Sequence, residues 1–581
     1  MEKLINTQSD GDDTLLTGDF NRRIMGAEAL LRTLIAEGVE CVFGYPGGQA
    51  IPIYDKLYDF KDKLRHVLVR HEQGATHAAQ GYARVSGKVG VVIVTSGPGA
   101  TNTITGIADA MLDSTPIVVI SGQVPSSLLG TDAFQEVDVI GVTQPITKWA
   151  YQVRRAEDVV WAVSRAFYIA STGRPGPVVI DLAKDAQIGV MDYEYKPVDY
   201  IRSYRPWPTL ERDKLQEAAD LINKAKRPFA LVGQGVILSG AEEELMQFLE
   251  KAEIPAASTL LGLSAMPSDY RLNKGMLGMH GNLGPNRKTN ECDVLIAIGM
   301  RFDDRVTGDV NTYAKQAKII HLDIDLSEMD KNIKTDVKVL GNAKDTLREI
   351  TILLKPAKHT KWLYSFKADE REERSKVIHK ELHPDKGFLR MGEVVRKISE
   401  ATGHEAVLVT DVGQNQMMSA RYFKFSKTRS IITSGGLGTM GFGLPASIGA
   451  KLGAPHRTVC LFVGDGGMQM TLQELGTIMQ EKLDIKIILL NNHFLGMVRQ
   501  WQELFFEERY SYTEMENPDF TAIAKAFHIG AREVKKREEL ADAIDEMFAW
   551  QGAYLLVVDV EKCGVVYPMV PAGGCITEML Y

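Results

Sequence analysis

An apolar run, residues 458–463, leads straight into Gly464-Asp465-Gly466-Gly467, and a second, residues 485–490, ends in Asn491-Asn492. In a parallel sheet both strands end on one edge, so the Asp465 carboxylate and the Asn492 amide oxygen can converge there. Both are hard oxygen ligands of the kind Mg²⁺ takes, and Mg²⁺ often completes its octahedral shell with phosphate oxygens. Gly464, Gly466 and Gly467 let backbone N–H groups approach a diphosphate. The helix predicted from about Thr471 offers its positive end. Either turn alone reads as an ordinary strand ending; together they predict a metal–diphosphate site. A GxGxxG match, Gly436-Leu437-Gly438-Thr439-Met440-Gly441, is weak as a dinucleotide fingerprint, because no Asp follows at dinucleotide spacing in a βαβ unit.

The elements that must hold these groups recur three times as a short β-branched run, a glycine-rich turn and a helical pattern. This predicts an α/β protein of three doubly wound parallel-sheet domains, over residues 22–190, 209–355 and 385–572. In the first, residues 24–35 have helical spacing, 89–95, 116–121 and 177–182 read as strands, and 97–102 as a turn. A polar linker, 192–208, follows. The middle domain opens with a strand at 228–233 ending in Gly-Gln-Gly and adds strands at 293–299 and 318–323. The charged segment 355–386 reads as a solvated linker helix. The last domain carries strands at 406–410, 457–463, 485–491 and 554–560. The first 20 or so residues read as a mobile tail.

A chain of 581 residues exceeds one hydrophobic core, and 45% hydrophobic with 24% charged residues is ordinary globular composition. A formal net charge of −8 argues against a general nucleic-acid binder. No apolar run approaches the roughly 20 residues of a membrane helix. The N-terminus resembles neither a signal nor a transit peptide. The five cysteines form no CxxC pair, which fits a reducing compartment. A cytoplasmic protein without nucleic-acid or membrane partners is expected.

The Asp465–Asn492 spacing resembles the signature of thiamine diphosphate-dependent enzymes, in which the Asp, the second Asn and a backbone carbonyl two residues later bind the metal. By that resemblance Asp465, Asn492 and the carbonyl of Phe494 are the Mg²⁺ ligands. Activating that cofactor needs a carboxylate hydrogen-bonded to its aminopyrimidine ring, and Glu72, which begins a helix in Val69-Arg70-His71-Glu72-Gln73-Gly74-Ala75, is assigned this role. Further stretches make the resemblance narrower. Phe43-Gly44-Tyr45-Pro46-Gly47-Gly48, Thr95-Ser96-Gly97-Pro98-Gly99-Ala100-Thr101-Asn102, Gly130–Glu136, Arg301-Phe302-Asp303-Asp304-Arg305-Val306-Thr307-Gly308 and Gly496-Met497-Val498-Arg499-Gln500-Trp501 are similar to the catalytic large subunit of the acetohydroxyacid synthase family, over roughly residues 22–572.

The resemblance implies a pyrimidine-binding, a central FAD-binding and a diphosphate-binding domain. It also implies active sites between the subunits of a homodimer or larger assembly, with Glu72 of one chain facing Asp465 of the other, and a separate small regulatory subunit. The implied reaction decarboxylates pyruvate and joins the two-carbon unit to a second pyruvate or to 2-oxobutyrate. Gly48 and Gln123 are expected beside Glu72; Gln414 at the diphosphate; Gly438, Met440 and Met497 against the cofactor. Arg305 and Trp501 match the acceptor-acid site, a guanidinium for the carboxylate and an indole wall for the alkyl group. Arg305 could instead pair with Asp303 or Asp304, and Trp501 or Met440 could be core. FAD contacts are implied for Arg174, Gly233, Gly235, His280, Asn282, Gly299, Arg301 and Asp323. Asn415 departs from a frequent His, Gly466-Gly467 from Ala/Gly-Ser, and His493-Phe494 from a polar pair. A pyruvate oxidase-like enzyme and a flavin-free catabolic acetolactate synthase are the alternatives, and the Arg301–Gly308 stretch argues against the latter.

Overall fold

The computed structural model describes residues 23–581, so the expected N-terminal tail lies outside the described residues. Three six-stranded parallel sheets, each flanked by helices, form the three domains. In the first, the strands stand in space as Arg65–Leu68, Cys41–Gly44, Gly90–Val94, Ile117–Gln123, Val178–Ala183 and Trp149–Val153. In the third they stand as Ile431–Ile432, Val407–Thr410, Val459–Gly464, Lys486–Asn491, Tyr554–Asp559 and Gly530–Val534. Counted in chain order within each sheet, both read second, first, third, fourth, sixth, fifth. The repeated architecture is therefore one topology used twice. The middle sheet differs: Asn273–Met276, Ala256–Ser258, Pro228–Val232, Val294–Ile298, Lys318–Asp323 and Val337–Leu340, the strand order of dinucleotide-binding folds.

The central strands Gly90–Val94 and Val459–Gly464 carry only apolar residues and glycine because both faces are covered. Val92 and Val94 enter one core while Val91 and Ile93 enter another; in the third domain Leu461 and Val463 part in the same way from Cys460 and Phe462. Each such buried side chain contributes about 1.5–3 kcal/mol. The first and third domains share a core, in which Ala75, Ala78 and Tyr82 of the helix Glu72–Ser86 meet Leu444 and Ile448 of the helix Gly443–Gly453. Glycines permit this crossing: a Cβ on Gly81 would stand 2.0 Å from Ala446 O, and one on Gly449 1.7 Å from Ala78 O.

The charged segment departs from its expected solvated role. Its helix, Thr360–Glu373, buries Trp362 and Phe366 in a middle-domain core. Glu373 is buried too, accepting from Asn282 Nδ2 and Leu283 N at 2.9 and 2.8 Å and from Arg421 of the third domain at 2.5 Å. Composition marks the charges, but the partner that lets one of them be buried lies 48 residues away. Among the described residues no helix is long and apolar enough to cross a membrane.

Candidate active site

In the third domain the adjacent strands Val407–Thr410 and Val459–Gly464 send their chains to opposite sides, and the crevice between their carboxyl ends is where ligands bind in such sheets. Register sets Gly464 beside Leu490, so Asp465 reaches the edge next to Asn491-Asn492. Gly464, Asp465, Gly466, Gly467, Asn492 and Phe494 all line one cavity of about 50 Å³, together with Gln414, Met440 and Met497. The two asparagines divide the work. Asn491 is locked into the framework, donating to Asp559 at 2.9 Å, while Asn492 faces the cavity and donates to Gln414 Oε1 at 3.2 Å.

The helix expected from Thr471 begins at once, at Asp465. A glycine pair reads as a turn in isolation, but here it is what fits: a Cβ on Gly467 would stand 2.2 Å from Asp411 Oδ1, and one on Gly466 2.7 Å from Leu495. Asp465 is 1% exposed, and burial pushes its carboxyl above the usual range while a hydrogen bond from Asn517 pulls it back. Among the described residues no three His, Cys, Asp or Glu side chains group to hold a metal. A cation at Asp465 would therefore depend on the Asn492 amide and main-chain carbonyls. The donor set fits Mg²⁺ and a diphosphate: buried Asn415 Oδ1 has no hydrogen-bond partner, and a Cβ on Gly464 would find nothing nearer than Asn415 Nδ2 at 3.2 Å.

The Gly436–Gly441 turn runs between this cavity and a larger one. Gly438 (φ +70°) and Gly441 (φ +86°) take left-handed conformations. Met440 lines the small cavity, which is not the place of core filler. Carboxylates from the first domain and from its own domain hold the turn. Asp113 of the first domain accepts from Gly435 N and Gly436 N at 2.8 and 2.7 Å while paired with buried Arg84 at 2.7 Å. Asp109 accepts from Ser434 Oγ and Thr439 Oγ1, and burial with the neighbouring Asp113 charge pushes it up to about 6. Asp411 takes Gly441 N and Gly443 N at 3.1 and 2.9 Å.

The larger cavity, about 680 Å³, lies at the carboxyl ends of the middle sheet and within the range of about 300–1,000 Å³ usual for ligand and cofactor sites. Arg174, Gly235, His280, Gly299, Arg301 and Asp323 line it, with Arg305, Gly438, Met497 and Trp501. Its polar groups suit a dinucleotide. Buried His280 Nδ1 has no partner, and the ring is neutral because burial lowers it to about 4. Burial pushes Asp323 up to about 7. Arg174 is held by Ser114 Oγ of its own domain at 2.8 Å and crosses to Asp325 and Glu328 of the middle domain at 3.0 and 2.8 Å. Gly233 and Asn282 lie off the cavity lining. A Cβ on Gly233 would stand 2.2 Å from Gly299 O, so this glycine serves the approach of two strand ends. Asn282 is spent on Met276 N and Glu373. Arg305 does pair with Asp304, at 3.0 Å, but the pair is exposed and its charge remains available. Trp501 packs beside Phe505 on the cavity wall instead of in the core.

Glu72 opens its helix at the corresponding edge of the first domain, with Oε2 accepting from Asn102 Nδ2 at 2.9 Å and Oε1 3.5 Å from where a Gly99 Cβ would stand. Gly48 is open, with nothing within 4 Å of a Cβ. Gln123 is fully buried: Nε2 donates to Val137 O and Asp181 Oδ2 at 3.0 and 3.2 Å, and Oε1 accepts from Val124 N. Glu72, Gly48 and Gln123 line neither cavity, so a single chain does not gather them with Asp465 there.

Residues 24–142 match the N-terminal TPP binding domain of thiamine pyrophosphate enzymes, 215–350 their central domain and 411–560 their C-terminal TPP binding domain. The chain is 44% identical over 570 residues to a probable acetolactate synthase large subunit of Methanocaldococcus jannaschii, covering 96% of this chain and 95% of that protein. It is 44% identical over 556 residues to the acetolactate synthase isozyme 2 large subunit of Escherichia coli K12 (96% and 99% covered) and 45% identical over 567 residues to the acetolactate synthase large subunit of Corynebacterium glutamicum (96% and 90%). The chain belongs to the acetolactate synthase large-subunit family.

As a member of the acetolactate synthase family, also called acetohydroxyacid synthase, it is a thiamine diphosphate-dependent enzyme. Three residues that hold this acetolactate synthase site together escaped the sequence reading. Asn517 bridges Asp465 and Asn491, Gln500 receives Gln414 Nε2 at 3.0 Å, and Asp113 grips the glycine turn. Asn517 and Asp113 are isolated polar residues with no local pattern around them, and Gln500 lies within the 496–501 stretch with nothing to mark its partner; only the tertiary fold pairs each with its target.

Proposed function

We propose that this acetolactate synthase decarboxylates pyruvate and joins the two-carbon unit to a second pyruvate or to 2-oxobutyrate, using Mg²⁺ as well as thiamine diphosphate and carrying FAD. The observation that carries this reading is the convergence of Asp465, Asn492 and Phe494 on one glycine-walled cavity. When bound, thiamine diphosphate supplies the carbon nucleophile and the electron sink. Asp465, Asn492 and the Phe494 carbonyl would hold the cation, with Gln414 and the Gly464–Gly467 backbone against the diphosphate.

Glu72 offers Oε1, the oxygen not engaged by Asn102, as proton partner to the cofactor ring. Because Glu72 lines neither cavity of its own chain, a homodimer in which it faces Asp465 of a second copy is the assembly we favour. Arg305 would pair with the acceptor carboxylate, and Trp501 would wall its alkyl group. One methylene against such a wall is worth about 1–3 kcal/mol, enough to rank 2-oxobutyrate against pyruvate. FAD would occupy the larger cavity, whose sheet has the dinucleotide-binding strand order. The domains would be pyrimidine-binding (22–190), FAD-binding (209–355) and diphosphate-binding (385–572). Relatives named as large subunits support a small regulatory partner. Five free cysteines support a reducing, cytoplasmic setting.

Incubation with pyruvate, thiamine diphosphate, Mg²⁺ and FAD tests the reading. Acetolactate should form, and acetohydroxybutyrate on adding 2-oxobutyrate. Release of acetyl phosphate and peroxide, or no carbon–carbon product, would overturn it.

A further inference from the structure

The segment that presents Glu72 is held from outside its own domain. Glu474 belongs to the third domain, in the short turn Leu472–Glu474, and is fully buried. Its Oε1 accepts the Arg70 backbone N–H at 3.0 Å, two residues before Glu72, and its Oε2 accepts from Thr477 Oγ1 at 2.7 Å. The contact is close enough to dictate a glycine: a Cβ on Gly74 would stand 2.5 Å from Glu474 Oε1. The neighbouring helix, Leu475–Glu481, continues the attachment. Thr477 Oγ1 lies 3.3 Å from Leu68 O, and the Arg70 guanidinium reaches Gly476 O and Gln480 Oε1 at 3.3 and 2.8 Å. A carboxylate at the start of a helix also faces its positive end. Burial pushes the Glu474 carboxyl up, and the Thr477 hydroxyl and the Arg70 and His71 backbone draw it back.

We infer that Glu474 is a positioning residue for Glu72: the third domain fixes the start of the helix Glu72–Ser86, so the direction of the activating carboxylate is set by a group that never touches the cofactor. The inference rests on the reading of Glu72 as that carboxylate. It explains why residues 70–74 are anchored to another domain although no side chain of Glu474 lines either cavity. A Gln here keeps the arrangement, since its oxygen still accepts from Arg70 N and its amide can donate to Thr477. An Ala does not.

The test compares Glu474→Gln, Glu474→Ala and Gly74→Ala in the full-length protein, by amide hydrogen exchange over residues 68–76 without cofactor and by steady-state turnover of pyruvate. In Glu474→Ala the Arg70 amide should exchange about tenfold faster or more, and kcat should fall about tenfold to a hundredfold with KM for pyruvate within about twofold. Glu474→Gln should restore both. Gly74→Ala should reproduce the kcat loss by driving a methyl against Oε1, although alanine favours the helix, so weakened helicity cannot explain it. Gly74→Ala also decides the matter should Glu474→Ala not fold. Wild-type exchange and kcat in the variants would overturn the inference. Glu72→Gln, measured in parallel, separates the two failures. If it is inactive while the Glu474 and Gly74 variants behave as wild type, only the positioning inference falls; if it is fully active, the role of Glu72 falls and this inference with it.

Discussion

Asn517 donates one amide hydrogen to Asp465 Oδ2 at 2.7 Å and also contacts Asn491 Oδ1 at 2.9 Å, tying the ends of two neighbouring strands across the crevice. It thereby fixes the orientation of the one buried carboxylate in the small cavity. Partners of this kind behind a metal ligand are worth about tenfold to a hundredfold in metal affinity. Asn517→Ala should accordingly weaken Mg²⁺-dependent thiamine diphosphate binding by about that factor, read by titrating the cofactor against the metal-supplemented protein. Affinity equal to wild type would show that Asp465 needs no such support.

Gly467 is required by contact with Asp411, the carboxylate that holds Gly441 N and Gly443 N. In Gly467→Ala the methyl would meet Asp411 Oδ1 at 2.2 Å, with a fully buried group and nowhere for it to swing. The expected cost is about 1–3 kcal/mol, the usual penalty of overpacking, seen as a lower midpoint of thermal unfolding.

The Arg421–Glu373 pair joins the third domain to the linker helix with both side chains nearly inaccessible, at 1% and 3%. Removing one partner strands a buried charge, so Arg421→Met should cost about 3–5 kcal/mol in denaturant unfolding. The double variant Arg421→Met, Glu373→Met should recover much of that loss, because neither charge is then left alone.

Asp323 gives the stability a pH dependence whose sign is fixed. Burial raises its carboxyl from 3.8 to about 7, so between those values the folded protein binds more protons than the unfolded chain. Stability from this group is full below the lower value and is lost as pH rises through about 7. Asp323→Asn removes a loss on the order of a few kcal/mol. The variant's unfolding midpoint should therefore gain on wild type from pH 5 to pH 8, and parallel curves would refute the assignment.

The sheets were legible because their central strands are buried on both faces and so read as unbroken apolar runs, as in residues 459–463 and 487–490. That Asp465 and Asn492 share one cavity was legible because they sit at the ends of those runs, where position alone confines a side chain to the sheet edge. What could not be read were contacts between distant segments. Residues 465–470 look like a turn until Asp411 and Leu495 pack against the glycines and make a helix of them. Glu373 sits in a charged run that gives no hint which member is buried. Gln123 has the right type and place for a reaction centre, yet its amide is turned inward to Asp181 and Val137, a choice made by neighbouring strands and loops.

The most direct measurement is calorimetric titration of thiamine diphosphate into wild-type, Asp465→Ala and Asn492→Ala protein, each with Mg²⁺ and with the metal chelated. The account predicts that wild-type binding requires the metal and that both substitutions abolish this metal-dependent binding while unfolding midpoints stay close to wild type. Undiminished, metal-dependent binding in either variant would contradict it.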